Sequence, residues 1–282
     1  MRVLNLDQVS GSNFAYQHHT LERCLDDMTE LGRNTVELWG IAPHLHIPQV
    51  DSAHLQKVRK QLLERGLAVS CLTPEQVAYP VNIASGEEWL KDQSLQLFLR
   101  AAEVCSELES PLLFLTTGRG YEDQPAEVAW ARSVEALQTI TQHAAHLGVA
   151  CVLEPLQRVE SNLVTDAGSL RLMLDDVGSS TLGVVVDTVA MAAAGEHIRD
   201  YAKAFGEGIR HVHLIDGAPT GHLAWGDGSL DLEEILRELS QLNYSGALTF
   251  ELFGDGSYAL DPRAAVTQCL AAVEAGLAQI PT

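Results

Sequence analysis

The sequence predicts a closed TIM-type (β/α)8 barrel of the α/β class, and three observations predict it. Short apolar runs of strand length alternate with longer amphipathic stretches from one end of the chain to the other. There are eight such runs, spaced roughly thirty-five residues apart, which is more strands than an open doubly wound sheet usually carries. No Pro-, Gly- or Ser-rich linker divides the 282 residues, so residues 1–282 are expected to form one domain, large enough to bury its own core without staples.

Taken in order, the first strand is expected at "RVLNL" (2–6), followed by a helix in "HTLERCLDDMTEL" (19–31). "TVELW" (35–39) precedes the helical period of "HLQKVRKQLLERG" (54–66), and "LAVSCL" (67–72) precedes "WLKDQSLQLFLRAAEVCSEL" (89–108). "LLFLT" (112–116) leads to "VAWARSVEALQTITQHAAHLG" (128–148), and "VACVLE" (149–154) and "LGVVVD" (182–187) supply the fifth and sixth strands. "RHVHLI" (210–215) is followed by "LEEILRELSQLN" (232–243). After "ALTFEL" (247–252) comes "DPRAAVTQCLAAVEAGLAQI" (261–280), in which Asp261 is placed to cap a helix and Pro262 to open it.

Composition narrows the partners. Lys plus Arg is 18 and Asp plus Glu 38, a formal charge of −20, which repels phosphate backbones and anionic membranes. Nucleic acid and membrane are therefore not expected as partners. The opening "MRVLNLDQVS" lacks a signal-peptide layout and no apolar run reaches spanning length, so a soluble cytoplasmic protein is expected. Cys24, Cys71, Cys105, Cys151 and Cys269 are odd in number and never paired as C-x-x-C, and read as small buried hydrophobes.

The chemistry is expected at the C-terminal ends of the strands, where such barrels build their sites. Glu154, Asp187, His213 and Glu251 each end an otherwise apolar run, on the fifth to eighth strands. Three carboxylates and an imidazole facing one point suit one divalent ion of intermediate hardness, such as Mn²⁺, Co²⁺ or Zn²⁺, rather than a thiolate site. Two alternatives stand beside this. Asp187 also suits the N-cap of a helix in "DTVAM", and His211 is either a satisfied core histidine or a residue that contacts substrate or orients a ligand. Beside such an ion, carboxylates such as Glu154 and Glu251 are also residue types that can serve as general base and general acid.

The segments E154-P-L-Q-R-V-E160-S-N, V-D187-T, H211-V-H213-L-I-D and F-E251-L resemble the metal-dependent sugar isomerase and epimerase group of xylose-isomerase-like barrels, along the full length. Within it, "VELWGIAPHLHIP" (36–48), "TPEQVAYP" (73–80) and "HVHLIDGAPTGHLAWGDG" (211–228) are most similar to the fructoselysine type of 3-epimerase. The resemblance implies one divalent ion, Mn²⁺ foremost with Co²⁺, Ni²⁺ or Zn²⁺ as alternatives, on Glu154, Asp187, His213 and Glu251. It implies proton transfer by the two glutamates, substrate binding by Glu160, a small sugar as the partner, and a homodimer or homotetramer.

Two departures bear on the substrate. Ketose 3-epimerases carry a sugar-contacting His where this chain has Ala190, and an Arg where it has Pro219. Both losses argue against a free ketohexose and for a ketose with a bulky C1 substituent. His222, Trp225, Trp39 and His44 offer compensating contacts, with plain packing as the alternative for the two tryptophans and an exposed loop for the two histidines. Two other activities stand as runners-up, another sugar isomerisation and an apurinic-endonuclease-type phosphodiester cleavage. The latter needs a His near Ala190 and an Asp at Thr220, which the chain lacks.

Overall fold

A computed structural model describes residues 4–77 and 80–280. Eight parallel strands close in chain order into a barrel: β1 (Val9–Ser12), β2 (Thr35–Trp39), β3 (Ala68–Thr73), β4 (Leu112–Leu115), β5 (Ala150–Leu153), β6 (Leu182–Asp187), β7 (Ile209–His213) and β8 (Ala247–Thr249), which pairs with β1. Around them lie α1 (Leu21–Glu30), α2 (Ser52–Glu64), α3 (Glu88–Glu107), α4 (Ala126–His146), α5 (Ala167–Val177), α6 (Thr188–Ala193), α7 (Ile198–Phe205), α8 (Leu232–Gln241) and α9 (Pro262–Leu277). Side-chain caps start most of these helices, with Thr20, Asp51, Asp166, Asp231 and Asp261 each accepting a backbone N–H of the first turn. Pro262 opens α9, as its sequence predicts. The β6 crossover carries two helices, the short α6 and then α7.

The first strand is a correction. Of the expected 2–6, Arg2 and Val3 lie outside the described residues, Leu4 and Asn5 are in no strand, and Leu6–Gln8 is a 3-10 turn capped by Asn5. The strand is instead "VSGS", which has one apolar side chain and so gives no apolar run. Its small residues answer a packing constraint, because α1 comes so close that a Cβ on Gly11 would lie 2.5 Å from the Met28 sulfur. A larger residue there would overfill the interface.

Strand alternation divides the buried side chains into two populations. Val36, Leu38, Leu113, Leu115, Val184, Val186 and Val212 face outward and join the helices in the main core. A separate inner cluster of Cys71, Phe114, Val152 and Val185 plugs the barrel, and above it the inward positions become polar. All five cysteines are buried and unpaired, and no described helix is long and apolar enough to cross a membrane.

Substituting Gly11→Val should therefore destabilise the protein by about 1 to 3 kcal/mol, the usual range for overpacking. Urea unfolding reads this directly, and an unchanged midpoint would contradict the close contact.

Candidate metal centre and active site

The register of β6 and β7 pairs Asp187 directly with His213, and alternation aims both side chains into the barrel. Glu154 follows β5 by one residue and still donates its N–H to Leu115 O at 3.0 Å, while Glu251 stands two residues beyond β8. One ligand atom from each of the four lies within 4.8 Å of the others. His213 Nδ1 is 3.0 Å from Glu154 Oε1 and 3.1 Å from Glu251 Oε2.

The N-cap reading of Asp187 is realised, and the geometry leaves its second oxygen available for the other. Oδ1 accepts from Ala190 N at 2.6 Å and caps α6, while Oδ2 is buried with no hydrogen bond. Glu154 Oε1 and His213 Nδ1 are likewise buried without hydrogen bonds. Three buried polar atoms without a well-aligned partner thus face one another, an arrangement that a cation between them would satisfy. Opposed ligands on a divalent ion are roughly 4.2 Å apart, so the 4.8 Å cluster and its three oxygen and one nitrogen donors fit such an ion.

Beneath this cluster lies a residue that sequence reading passed over. Glu37, in the middle of β2, has no solvent exposure. Its carboxylate accepts from Thr73 Oγ1 at 2.5 Å, from His211 Nε2 at 2.6 Å and from His213 Nε2 at 3.1 Å. Burial works against the charge, yet the two histidines outweigh it and hold the carboxyl well below its usual range. An ionised carboxylate has no proton to give, so each imidazole must donate through Nε2. That leaves His213 Nδ1 to face Glu154 and Glu251. The signal was present in "TVELW": Val36 and Leu38 alternate outward, which turns Glu37 and Trp39 inward.

The mouth opens into a cavity of about 570 Å³ whose lining includes Glu154, Asp187, Glu251, Glu160, His222 and Trp39. Of the residues expected to touch substrate, Glu160, His222 and Trp39 thus reach the cavity and three do not. His211 is fully buried below it, against Glu37, which leaves orientation of the cluster as its part. His44 is buried in another crevice, where Nδ1 meets Asn13 Nδ2 at 3.0 Å and Nε2 meets His19 O at 2.8 Å. Asn13 in turn holds both backbone polar groups of Trp39, so His44 supports the cavity wall from behind. Trp225 is packed, with Nε1 donating to Leu214 O at 3.0 Å. Ala190 and Thr220 line the cavity.

His222 owes its place to Asp216, whose carboxylate accepts the N–H groups of Gly217, Gly226, Gly228 and Leu230 and so knits the loop after β7. At φ 48° the His222 backbone is strained, and the N–H groups of Phe253 and Gly254 fix its carbonyl at 3.1 and 3.0 Å. Its Nε2 then sits 3.4 Å from Glu251 Oε2 and 3.8 Å from Asp187 Oδ2.

The two glutamates are not equivalent. Burial lifts the Glu154 carboxyl to about 8 despite the pull of His213. Burial pushes Glu251 the same way, but His213 and His222 overcome it and set that carboxyl at about 2. Burial lowers His222, and the hydrogen bond to Glu251 more than reverses this, to about 10. Neighbouring titratable groups pushed apart in this way are what an acid and a base require.

Fold and site together define a parallel (β/α)8 barrel with a carboxylate and histidine cluster, fit for a divalent ion, at its C-terminal mouth. The chain belongs to the xylose isomerase-like TIM barrel family, whose model matches residues 25–273. It is 28% identical over 257 residues to fructoselysine 3-epimerase of Escherichia coli O157:H7, covering 90% of this chain and 93% of that one. It is 27% identical over 205 residues to L-ribulose 3-epimerase of Methylomonas sp. (strain DH-1), covering 72% and 68%. A solved structure of L-ribulose 3-epimerase superposes with a TM-score of 0.81 over 96% of this chain and 94% of that one, at 22% identity, a likeness of fold.

Two outcomes follow for the metal-free protein. Because Glu154 is raised from 4.5 to about 8 and His222 from 6.5 to about 10, the folded state holds protons that the unfolded chain has released. The stabilisation is complete below each unfolded value and is lost as pH rises through each folded one. Chelator-treated protein should thus lose melting temperature between about pH 5 and 10, and saturating divalent metal should flatten that slope. A chelated melting temperature that climbs over this interval would refute the proton assignment.

Glu37→Gln should cost about 3 to 5 kcal/mol of stability, as removal of one partner from a buried ionic group does. It should also weaken metal binding by roughly 10- to 100-fold. Calorimetric titration reads the second effect, and unchanged affinity would remove Glu37 from the site.

Proposed function

We propose that this protein is a divalent-metal-dependent sugar 3-epimerase, inverting the carbon beside the ketone of a ketose or ketose-amine. The observation that carries the reading is the convergence of Glu154, Asp187, His213 and Glu251 within 4.8 Å at the floor of the cavity, with two carboxylates on separate strands facing the space a substrate would fill. The names of the relatives point the same way.

Glu154, Asp187, His213 and Glu251 would hold the ion, with Mn²⁺ favoured and Co²⁺, Ni²⁺ or Zn²⁺ as substitutes. When bound, it supplies a Lewis acid that lowers the cost of negative charge on the substrate's carbonyl oxygen. One of the two glutamates takes the proton from C3 and the other returns a proton to the opposite face. Glu37 and His211 keep His213 in place, and His222 stabilises the ionised form of Glu251. Glu160, anchored through Gln157 N at 3.0 Å, and Trp39 line the space where the sugar chain would lie.

Within this reading the preferred substrate carries a C1 substituent, as in fructoselysine. Ala190 lines the cavity with a short side chain where, by the resemblance, free-ketose enzymes carry a histidine. Assembly as a homodimer or homotetramer, expected from the resemblance, belongs to the same proposal. The phosphodiesterase reading draws no support from a cavity wall of Ala190 and Thr220, where its further metal ligands would have to stand.

In deuterium oxide with Mn²⁺, the protein should place deuterium at C3 of fructoselysine faster than at C3 of free ketohexoses. Glu154→Gln and Glu251→Gln should each reduce incorporation by about 10²- to 10⁴-fold, the usual contribution of a positioned acid or base. Incorporation untouched by either substitution would sink the two-glutamate mechanism. Cleavage of abasic DNA without exchange on any sugar would favour the nuclease instead.

A further inference from the structure

On its β3–β4 side the cavity at the mouth adjoins a narrow passage of about 150 Å³, with Gln76, Val77, Thr116 and Glu160 lining both. That passage shares Asn82, Leu90 and Arg119 with an outer hollow of about 480 Å³ between the loops that follow β3 and β4. Metal cluster, passage and hollow thus lie in series, the three parts of a trough.

Hydrogen bonds tie the described walls of the trough together. Asn82 ties its two walls, accepting from Arg119 N at 3.0 Å and donating to Arg119 O at 2.8 Å, while Asn162 brackets Gly120 in the same way at 2.8 and 3.2 Å. Gly118, at φ 73°, must stay bare, because a Cβ there would meet Asn82 Oδ1 at 2.4 Å. A preformed hollow binds without a large ordering cost.

Its walls are unusual for a surface. The described residues include eight large hydrophobic side chains that are exposed, and four of them, Val77, Trp89, Tyr121 and Val159, line the cavity or the hollow. Clustering of that kind marks a contact surface. At the far end lies Arg132, half-buried on α4. Among the described residues every other buried or half-buried arginine bonds a carboxylate or a carbonyl, whereas Arg132 bonds neither, in a chain of net charge −20. A Cβ on Gly86 would lie 3.3 Å from the Arg132 guanidinium and 3.4 Å from the Tyr121 ring, so charge and aromatic face meet over one bare glycine. Glu87 stands beside them, within 3.5 Å of the Tyr121 hydroxyl.

We propose that this hollow is a substrate subsite for the α-amino-acid head of a ketose-amine, with the carboxylate on Arg132, the ammonium near Glu87 and the apolar spacer between Trp89 and Tyr121. The inference rests on the epimerase reading and names the part of the substrate that the metal cluster does not touch. A guanidinium left without a partner is matched by a planar carboxylate, which it can grip through two parallel N–H groups. Ketose chemistry stays at the cluster, and affinity for the tail is supplied at the hollow.

The test compares fructosyl-lysine with fructosyl-cadaverine, which has the same chain and no carboxylate, and with a ketose 6-phosphate. Both binding by calorimetry and C3 exchange in deuterium oxide are read on Mn²⁺-loaded protein. Wild type should bind fructosyl-lysine roughly 10- to 100-fold more tightly than fructosyl-cadaverine, the size of a charge-assisted hydrogen bond. Arg132→Gln should erase that difference through the lysine adduct alone, in Kd and KM with kcat preserved, and Arg132→Lys should restore part of it. Melting curves confirm that each variant is folded.

Equal binding of the two adducts by wild type, or an equal loss of both in Arg132→Gln, overturns the subsite. An Arg132-dependent preference for the ketose phosphate overturns the amino-acid head and makes the hollow a phosphate site. Arg132-dependent binding without exchange on any ketose supports the subsite and sinks the epimerase reading, so the two fail separately.

Discussion

The geometry of the mouth depends on one buried carboxylate. Glu37 has no contact with water, and removing a charge from water is expensive enough that such a group persists only when fully satisfied. Thr73, His211 and His213 satisfy it. The consequence runs upward through the imidazole of His213. With Nε2 committed below, Nδ1 can only face Glu154 and Glu251 above, at 3.0 and 3.1 Å. Phe114 stacks on the ring at 5.2 Å and 14°, which fixes its plane as the carboxylate fixes its tautomer. A ligand oriented in this way gains basicity toward a metal and loses the freedom to turn away from it.

The rim is held by the same device at larger scale, a polar side chain spent on backbone. Asp216 accepts four N–H groups of the loop carrying His222, Asn13 holds both polar groups of Trp39, and Asn82 and Asn162 tie the loops after β3 and β4 to their neighbours. None of these need touch a substrate. Each turns a loop, ordinarily the most mobile part of such a barrel, into a wall with a defined shape. The strained φ of His222 persists because its carbonyl is held by two amides at once.

This division explains what could be read from the sequence. Glu154, Asp187, His213 and Glu251 were legible because each interrupts an apolar run at its end, a local event. The barrel was legible from repeated alternation, even though β1 was misplaced: "VSGS" is small because α1 presses on Gly11, and that pressure comes from Met28, outside the strand. His44 misled for the reverse reason. It stands in a stretch rich in functional residue types, and only its distant partners Asn13 and His19 show it to be a support. Glu37 lay within reach, since the alternation that exposes His211 and His213 to the barrel axis exposes it too. A charge inside an apolar strand is more informative than one at its end, because no solvated loop can account for it.

The inequality of the two glutamates follows from the same architecture. Glu251 adjoins His222 as well as His213, so two histidines offset its burial. Glu154 adjoins only His213, with Glu251 and Asp187 pressing its charge from the other side. The asymmetry is thus set by the loop after β7, the segment that Asp216 organises, rather than by the strands that carry the carboxylates. Barrels that share the four strand-end residues and differ in that loop would present the same ligand set with different proton affinities. In this chain the loop that supplies His222 lies across the mouth from the trough between the β3 and β4 loops. On the proposed reading, one side of the rim sets the proton chemistry and the other is free to select the substrate's tail.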